Sequence, residues 1–142
     1  MPETANKLSI NVKTGIIPTL EELQSLYEAV KWSSAKKPEQ LHKAMQNSHS
    51  VVTAYYEEKL IGLANAISDG ALVVYFPHLL IHPKYQRIGI GKRLIEVLLK
   101  KYEGFHQQVL IADNNAVNFY KKNGFKLATN TTSLWIYDGD DH

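Results

Sequence analysis

The segment Gln86-Arg87-Ile88-Gly89-Ile90-Gly91 lies between an apolar run that ends at His82-Pro83 and an amphipathic run that opens at Lys92. This pattern demands a strand, a glycine turn and a helix start in immediate succession. Glycines let backbone approach an anion closely, and the free N–H groups and positive dipole end of the following helix point at it. The unit is therefore suited to a phosphate. Two familiar phosphate patterns fail on spacing. A dinucleotide fingerprint needs a small residue where Leu94 stands, and a P-loop needs Gly at Gln86 and Ser or Thr at Arg93. What remains is Q-x-x-G-x-G, a weak signal by itself.

A second unit adds weight. Ala116-Val117-Asn118-Phe119-Tyr120-Lys121-Lys122-Asn123-Gly124-Phe125 reads as a short helix capped by Asn114 or Asn115, closed by a left-handed Gly124 and followed by a strand at Phe125. With both units in this order, the chain resembles the GNAT superfamily of acyl-CoA-dependent N-acetyltransferases. That family carries [Q/R]-x-x-G-x-[G/A] at its pyrophosphate loop and A-x-x-x-Y-x-x-x-G-F downstream. The motif-bearing resemblance runs from Val73 to Phe125; elsewhere it rests on element order.

Composition sets the class. At 142 residues with 44% hydrophobic and 21% charged, the chain reads as one globular domain, 1–142, able to bury a core without staples. No apolar run reaches membrane-spanning length, and Met1-Pro2-Glu3-Thr4 has neither a basic nor an apolar leader region, so a cytoplasmic protein with no membrane partner is expected. The absence of cysteine removes disulfides, thiolate metal sites and a cysteinyl acyl-enzyme. A net charge of +2 with interspersed signs does not indicate nucleic acid. Locally, Lys84, Arg87, Lys92 and Arg93 surround the glycines, with Lys121 and Lys122 as further cations.

Along the chain, Leu8 to Val12 alternates as a strand. Thr19 and Glu22 form a capping box for a helix with an apolar stripe of Leu20, Leu23, Leu26, Tyr27 and Val30. A second helix follows Pro38, with Leu41, Ala44 and Met45 inward. Val51–Tyr56 and Leu60–Ile67 make a hairpin, and Asp69-Gly70 turns the chain into a third strand, Ala71 to Ile81. Leu94, Ile95, Leu98 and Leu99 stripe the next helix, which Gly104 ends. Val109–Ala112 is a buried strand, and after the Tyr120 helix come strands at Phe125–Ala128 and Ser133–Tyr137. The α/β (α+β) order is βααβββαβαββ. The resemblance implies a mixed, twisted sheet with helices on both faces, and a splay between Val73–Ile81 and Val109–Ala112 that admits the pantetheine arm of coenzyme A.

The resemblance also implies an activity: transfer of an acetyl group from acetyl-CoA to a primary amine, directly, in a ternary complex. The N–H groups around Ile88, Gly89, Gly91 and Lys92 would hold the pyrophosphate, Arg87 and Ile90 belong to the same cofactor-binding loop, and Gln86, ranked below the backbone, would bond the loop or a phosphate. Amides of the central strand at Leu79, Leu80 and Ile81 would meet the thioester and pantetheine, with Pro77 consistent with a bulge there. Tyr120 matches the family's general acid, which donates to the leaving sulfur. Asp113 stands where many members have Asn; an ionised acid cannot donate, so Asn114 and Asn115 are the substitutes.

An alkylamine with a pKa near ~10 is about one-thousandth neutral at pH 7, so its proton needs an acceptor. His78, Tyr75 and water stay open for that role. His78 could equally be a packed strand histidine. His78 and His82 do not read as a metal pair, because a strand separates residues four apart by about 13 Å. Trp32, Tyr55, Tyr56, Trp135 and Tyr137 are aromatic candidates for core or for the acceptor pocket, which would take a small amine or a lysine side chain. Ala112-Asp113-Asn114 with Asn118-Phe119-Tyr120-Lys121 is similar to plastid serotonin and arylalkylamine acetyltransferases. A homodimer through the last strands is implied by the family. The rival readings are a non-catalytic acyl-CoA-binding sensor module and, against the charge, a nucleic-acid-associated protein.

Overall fold

The computed structural model describes residues 9–141. Its first strand, β1 (Ile10–Thr14), pairs antiparallel with β2 (Ser50–Tyr56); Leu8 of the expected strand lies outside the described residues. Between them are α1 (Leu20–Ala29) and α2 (Pro38–Asn47). The capping box that opens α1 is formed: Thr19 N–H donates to Glu22 Oε1 at 2.9 Å and Glu22 N–H to Thr19 Oγ1 at 3.1 Å. Its buried face is Leu23, Leu26 and Tyr27. In α2, Leu41 and Met45 are buried while Ala44 is exposed, so the inward stripe is narrower than expected.

β2 continues into β3 (Lys59–Ser68) as an antiparallel hairpin in which Ala54 opposes Gly62 and Tyr55 opposes Leu60, leaving Ile61 as the extra residue of a bulge. The sheet then divides its burial between two layers. Leu60, Leu63 and Leu80 pack with α1 and α2, whereas Ile61, Ala64 and Ala66 pack on the opposite face with α3 (Ile90–Lys101) through Leu94 and Leu98. Helices thus cover both faces, and a fully buried leucine on either contributes about 1.5–3 kcal/mol of apolar burial.

The third strand of the meander is broken. β4 (Val73–Tyr75) pairs with the end of β3, and β5 (Leu79–Ile81) pairs with its beginning, so the two lie end to end along one edge. Pro77 has no N–H to donate, which suits the gap at Phe76–His78. Buried Asn65 closes it: its backbone N–H donates to the His78 carbonyl at 3.2 Å, and its Oδ1 accepts the His78 N–H at 3.1 Å.

β6 (Gln107–Val109) runs parallel to β4, starting two residues earlier and ending three earlier than expected, and the last interstrand bond joins Phe76 N–H to the Val109 carbonyl at 3.0 Å. Beyond it the ladders diverge. A 3₁₀ turn at Asn114–Ala116 leads into α4 (Val117–Lys122), so Asn114 and Asn115 belong to the turn and neither side chain caps the helix. Gly124 closes α4 at φ 99°, with Phe125 N–H on the Tyr120 carbonyl at 3.0 Å.

The mixed sheet in the order β1-β2-β3-β4-β6, with β5 on β3, carries the expected architecture. The tail differs: residues 126–137 hold no strand. Ser133–Tyr137 has strand-forming residues, but a strand exists only against a ladder partner, and this stretch has none among the described residues.

Candidate active site

Where β5 and β6 part, a cleft of about 70 Å³ opens between Phe76–Leu79 on one side and Leu110–Asp113 on the other, with Trp32 and Tyr120 among its walls. The direction of the amides follows from the ladder. Bonds at the His78/Asn65 and His82/Ile61 pairs make Leu80/Leu63 a hydrogen-bonded pair as well, so the Leu80 N–H is turned toward β3. Alternation turns the Leu79 and Ile81 N–H groups to the opposite, unpaired edge. Leu80 is a core residue, 3% exposed.

Tyr120 enters the cleft from α4, its ring edge-on to Phe119 and Phe125. Burial, and then the Asp113 carboxylate, push its phenol up to about 12. The group therefore keeps its proton at neutral pH and is a donor. Its hydroxyl makes no hydrogen bond within the described residues, which leaves that proton for a ligand.

His78 lines the same cleft and is held from behind. Tyr27 Oη lies 2.8 Å from its Nδ1, and the rings of Tyr27 and Trp32 meet the imidazole edge-on at 5.4 and 5.3 Å. Tyr27 is fully buried, so its O–H needs an acceptor, and Nδ1 is the one within reach. The neutral imidazole then carries its proton on Nε2. Tyr75 does not line the cleft, and burial raises its phenol pKa, so it offers no base there.

The glycine loop lies at the start of α3. Gly89 is its left-handed N-cap at φ 88°, with open space where a side chain would be, and Arg87 is also at positive φ, 67°. The first intrahelical amide is that of Arg93, on the Gly89 carbonyl at 3.2 Å, and no side chain caps the helix. The amides of Ile90, Gly91 and Lys92 are thus the uncapped, positive end of a twelve-residue helix. Ile88 and Ile90 are buried and anchor the turn. A Cβ at Gly91 would lie 3.4 Å from Phe119, the neighbour of Tyr120, at the near edge of ordinary van der Waals contact. Gln86 Nε2 donates to the Ile81 carbonyl at 3.0 Å, tying the loop to β5. Lys92 is 3.6 Å from Glu96, an exposed pair of small energetic weight.

Of the other candidates, Asn114 and Asn115 are exposed, and Asn114 faces a groove behind Tyr120. His82 accepts from the Lys84 N–H outside the cleft, and no cluster of three metal-ligating side chains occurs among the described residues. Tyr55 is buried, whereas Trp135 and Tyr137 are exposed. Sequence reasoning overlooked Asn65 and the partnership of Tyr27 with His78. Asn65 carried a signal, the lone amide in Leu63-Ala64-Asn65-Ala66-Ile67. Tyr27 carried none beyond its place on an apolar stripe.

No helix among the described residues is long and apolar enough to cross a membrane. The acetyltransferase (GNAT) domain family matches residues 19–133. An uncharacterized N-acetyltransferase ycf52 of the alga Gracilaria tenuistipitata is 34% identical across 75% of this chain and 61% of its own length. A ycf52-like protein of Prochlorococcus marinus is 32% identical across 82% of this chain and 68% of its own. The chain spans about two thirds of the length of these curated relatives. A GNAT family acetyltransferase of Streptococcus pneumoniae superposes with a TM-score of 0.79 at 30% identity, over 92% of this chain and 99% of that one. The chain belongs to the GNAT family of acetyltransferases.

Proposed function

We propose that this protein transfers the acetyl group of acetyl-CoA to a primary amine, directly, in a ternary complex. The observation that carries the reading is the cleft between β5 and β6, where the unpaired Leu79 amide, a protonated Tyr120 and an imidazole share one small volume. The donor set suits coenzyme A: uncapped α3 amides at Ile90, Gly91 and Lys92 for phosphates, open space over Gly89, and the unpaired edge at Leu79 and Ile81 for an extended amide-bearing arm. Acetyl-CoA, when bound, supplies an activated acetyl carbonyl and a thiolate leaving group.

The Leu79 N–H supports the carbonyl oxygen as it gains charge. The amine nitrogen bonds to the carbonyl carbon and the C–S bond breaks. Tyr120 donates a hydrogen bond to the departing sulfur. A phenol pushed up to about 12 holds its proton more tightly than a thiolate of pKa ~8.5 can take it. Tyr120 therefore stabilises the sulfur without surrendering the proton, which the thiolate collects from solvent. His78, protonated on Nε2, is a donor that positions the acceptor, and water takes the amine proton. Asp113 adds negative charge near the cleft that favours a cationic amine. Acceptors are a small amine or a lysine side chain, and the homodimer implied by the family, acting in the cytoplasm, completes the proposal.

The test is thiol release from acetyl-CoA against arylalkylamines, polyamines, aminosugars and lysine peptides, in which a cysteine-free protein adds no background. Amine-dependent release supports the transferase and names the acceptor class. Coenzyme A binding with no release for any amine would replace it with a non-catalytic sensor module.

A further inference from the structure

We propose that Asp141 is a positioning residue for the amine side of the cleft: its carboxylate holds Ser33, and through Ser33 it fixes Trp32 against His78. The need for it arises in the loop after α1. A 3₁₀ turn at Ser33–Lys36 opens with Trp32 at its N-cap, and an indole has no oxygen with which to accept the free amides of the turn. Asp141 supplies the missing acceptor from far along the chain. Its Oδ2 accepts the Ser33 N–H at 3.0 Å, and its Oδ1 accepts the Ser33 hydroxyl at 2.7 Å. Tyr137 Oη donates to the same Oδ1 at 2.5 Å and lies 2.9 Å from Ser33 Oγ. The bonds from Tyr137 and then Ser33 hold the Asp141 carboxyl below its ordinary pKa, so it is an ionised acceptor at neutral pH.

The tie is specific in its geometry. Gly139 passes beneath the Tyr137 ring, where a Cβ would collide with the phenol, so glycine lets the chain fold back and bring Asp141 to Ser33. Among the described residues, the side-chain hydrogen bonds that join residues 126–141 to the rest of the chain all go to Ser33. Its neighbour Trp32 lines the cleft, and the indole meets the imidazole of His78 edge-on at 5.3 Å and the ring of Tyr27 at 5.8 Å. At its other end the segment leaves α4 after Phe125, whose ring packs edge-on against Tyr120. Residues 126–141 therefore run from the helix that carries the sulfur's donor to the loop that carries the amine's wall. Asp141 does not line the cleft, so it acts through Trp32. Releasing Ser33 loosens the Trp32 wall and leaves the α3 amides and the Leu79 amide in place.

The effect on acceptors rests on the transferase reading above, whereas the hold on Trp32 can be read without turnover. Trp32 and Trp135 are the two tryptophans of the chain, so Trp135→Phe leaves Trp32 as the single fluorescent reporter. In that background Asp141→Ala should raise acrylamide quenching of Trp32 by about two-fold, as for a packed side chain released toward water. Gly139→Ala removes no hydrogen-bonding group and should do the same, while Asp141→Asn, which keeps one acceptor oxygen, should fall between. Unchanged quenching in both alanine variants would overturn the tie. In thiol release with phenethylamine and with spermidine, Asp141→Ala should raise the amine KM by about five-fold, with kcat and coenzyme A affinity within about two-fold of the parent. A merely structural role would weaken coenzyme A as well. Increased quenching with an unaltered amine KM would overturn the link to the acceptor. Failure of the transferase reading looks different: the unaltered protein would release no thiol with any amine, and quenching alone would then decide whether Asp141 holds Trp32.

Discussion

Tyr27 Oη sits 2.8 Å from His78 Nδ1, and because Tyr27 is fully buried this contact decides which imidazole nitrogen carries the proton. A base at Nε2 would need Nδ1–H to donate to the phenol, leaving the buried phenolic O–H without its acceptor at a cost of about 1–3 kcal/mol. The tautomer is open to direct observation. Nitrogen-15 spectra of the imidazole should show the Nε2–H form in the native protein and a mixture in Tyr27→Phe, with a stability loss of about 1 kcal/mol. A native Nδ1–H form would return His78 to the role of base.

Asn65 holds the break between β4 and β5 with three hydrogen bonds, two to His78 and one from its Nδ2 to Ser48 Oγ at 3.0 Å. Asn65→Leu removes the side-chain acceptor of the half-buried His78 N–H and should cost about 2 kcal/mol in urea unfolding. It should also raise KM for acetyl-CoA, because the Leu79 amide loses its support. Stability within about 0.5 kcal/mol of the native protein would mean that Pro77 alone maintains the break.

Two substitutions at Gly89 separate two effects. Gly89 has open space and a positive φ, so Gly89→Ala costs backbone strain of about 1 kcal/mol with little obstruction. Gly89→Glu adds a carboxylate at the positive end of α3 and should weaken coenzyme A by about ten-fold or more beyond the alanine variant. Calorimetry showing equal affinity for the two variants would remove the loop as the phosphate site.

The Tyr120 phenol gives a pH signature. Its pKa is about 10 in the unfolded chain and is pushed up to about 12 when folded, so folding favours the protonated form. The associated stability is fully present below pH ~10 and is lost as pH rises toward ~12. Alkaline unfolding of Tyr120→Phe should therefore be less steep over that window. Identical alkaline profiles would mean that Tyr120 has an ordinary pKa.

What was legible in the sequence was local. The capping box at Thr19 and Glu22, the glycine turn before α3 and Gly124 after α4 each depend on residues a few positions apart, and each formed as read. The cleft was legible through the family resemblance and Pro77. Which amides face it was not, since Leu79 and Leu80 look alike until the register against β3 assigns their directions. The Tyr27–His78 contact joins residues 51 apart in sequence and left no local trace. The last two strands failed for a related reason: Ser133–Tyr137 has strand residues, but its partner is not set by its own sequence.

The central claim is that Tyr120 stabilises the leaving sulfur in a cleft built for acetyl transfer. Single-turnover thiol release by Tyr120→Phe, with coenzyme A affinity measured on the same sample, tests it most directly. The expected result is a fall in kcat of about 100-fold with affinity changed by less than about two-fold. Unaltered kcat at unaltered affinity would contradict the claim and leave Tyr120 as an aromatic wall of the cleft.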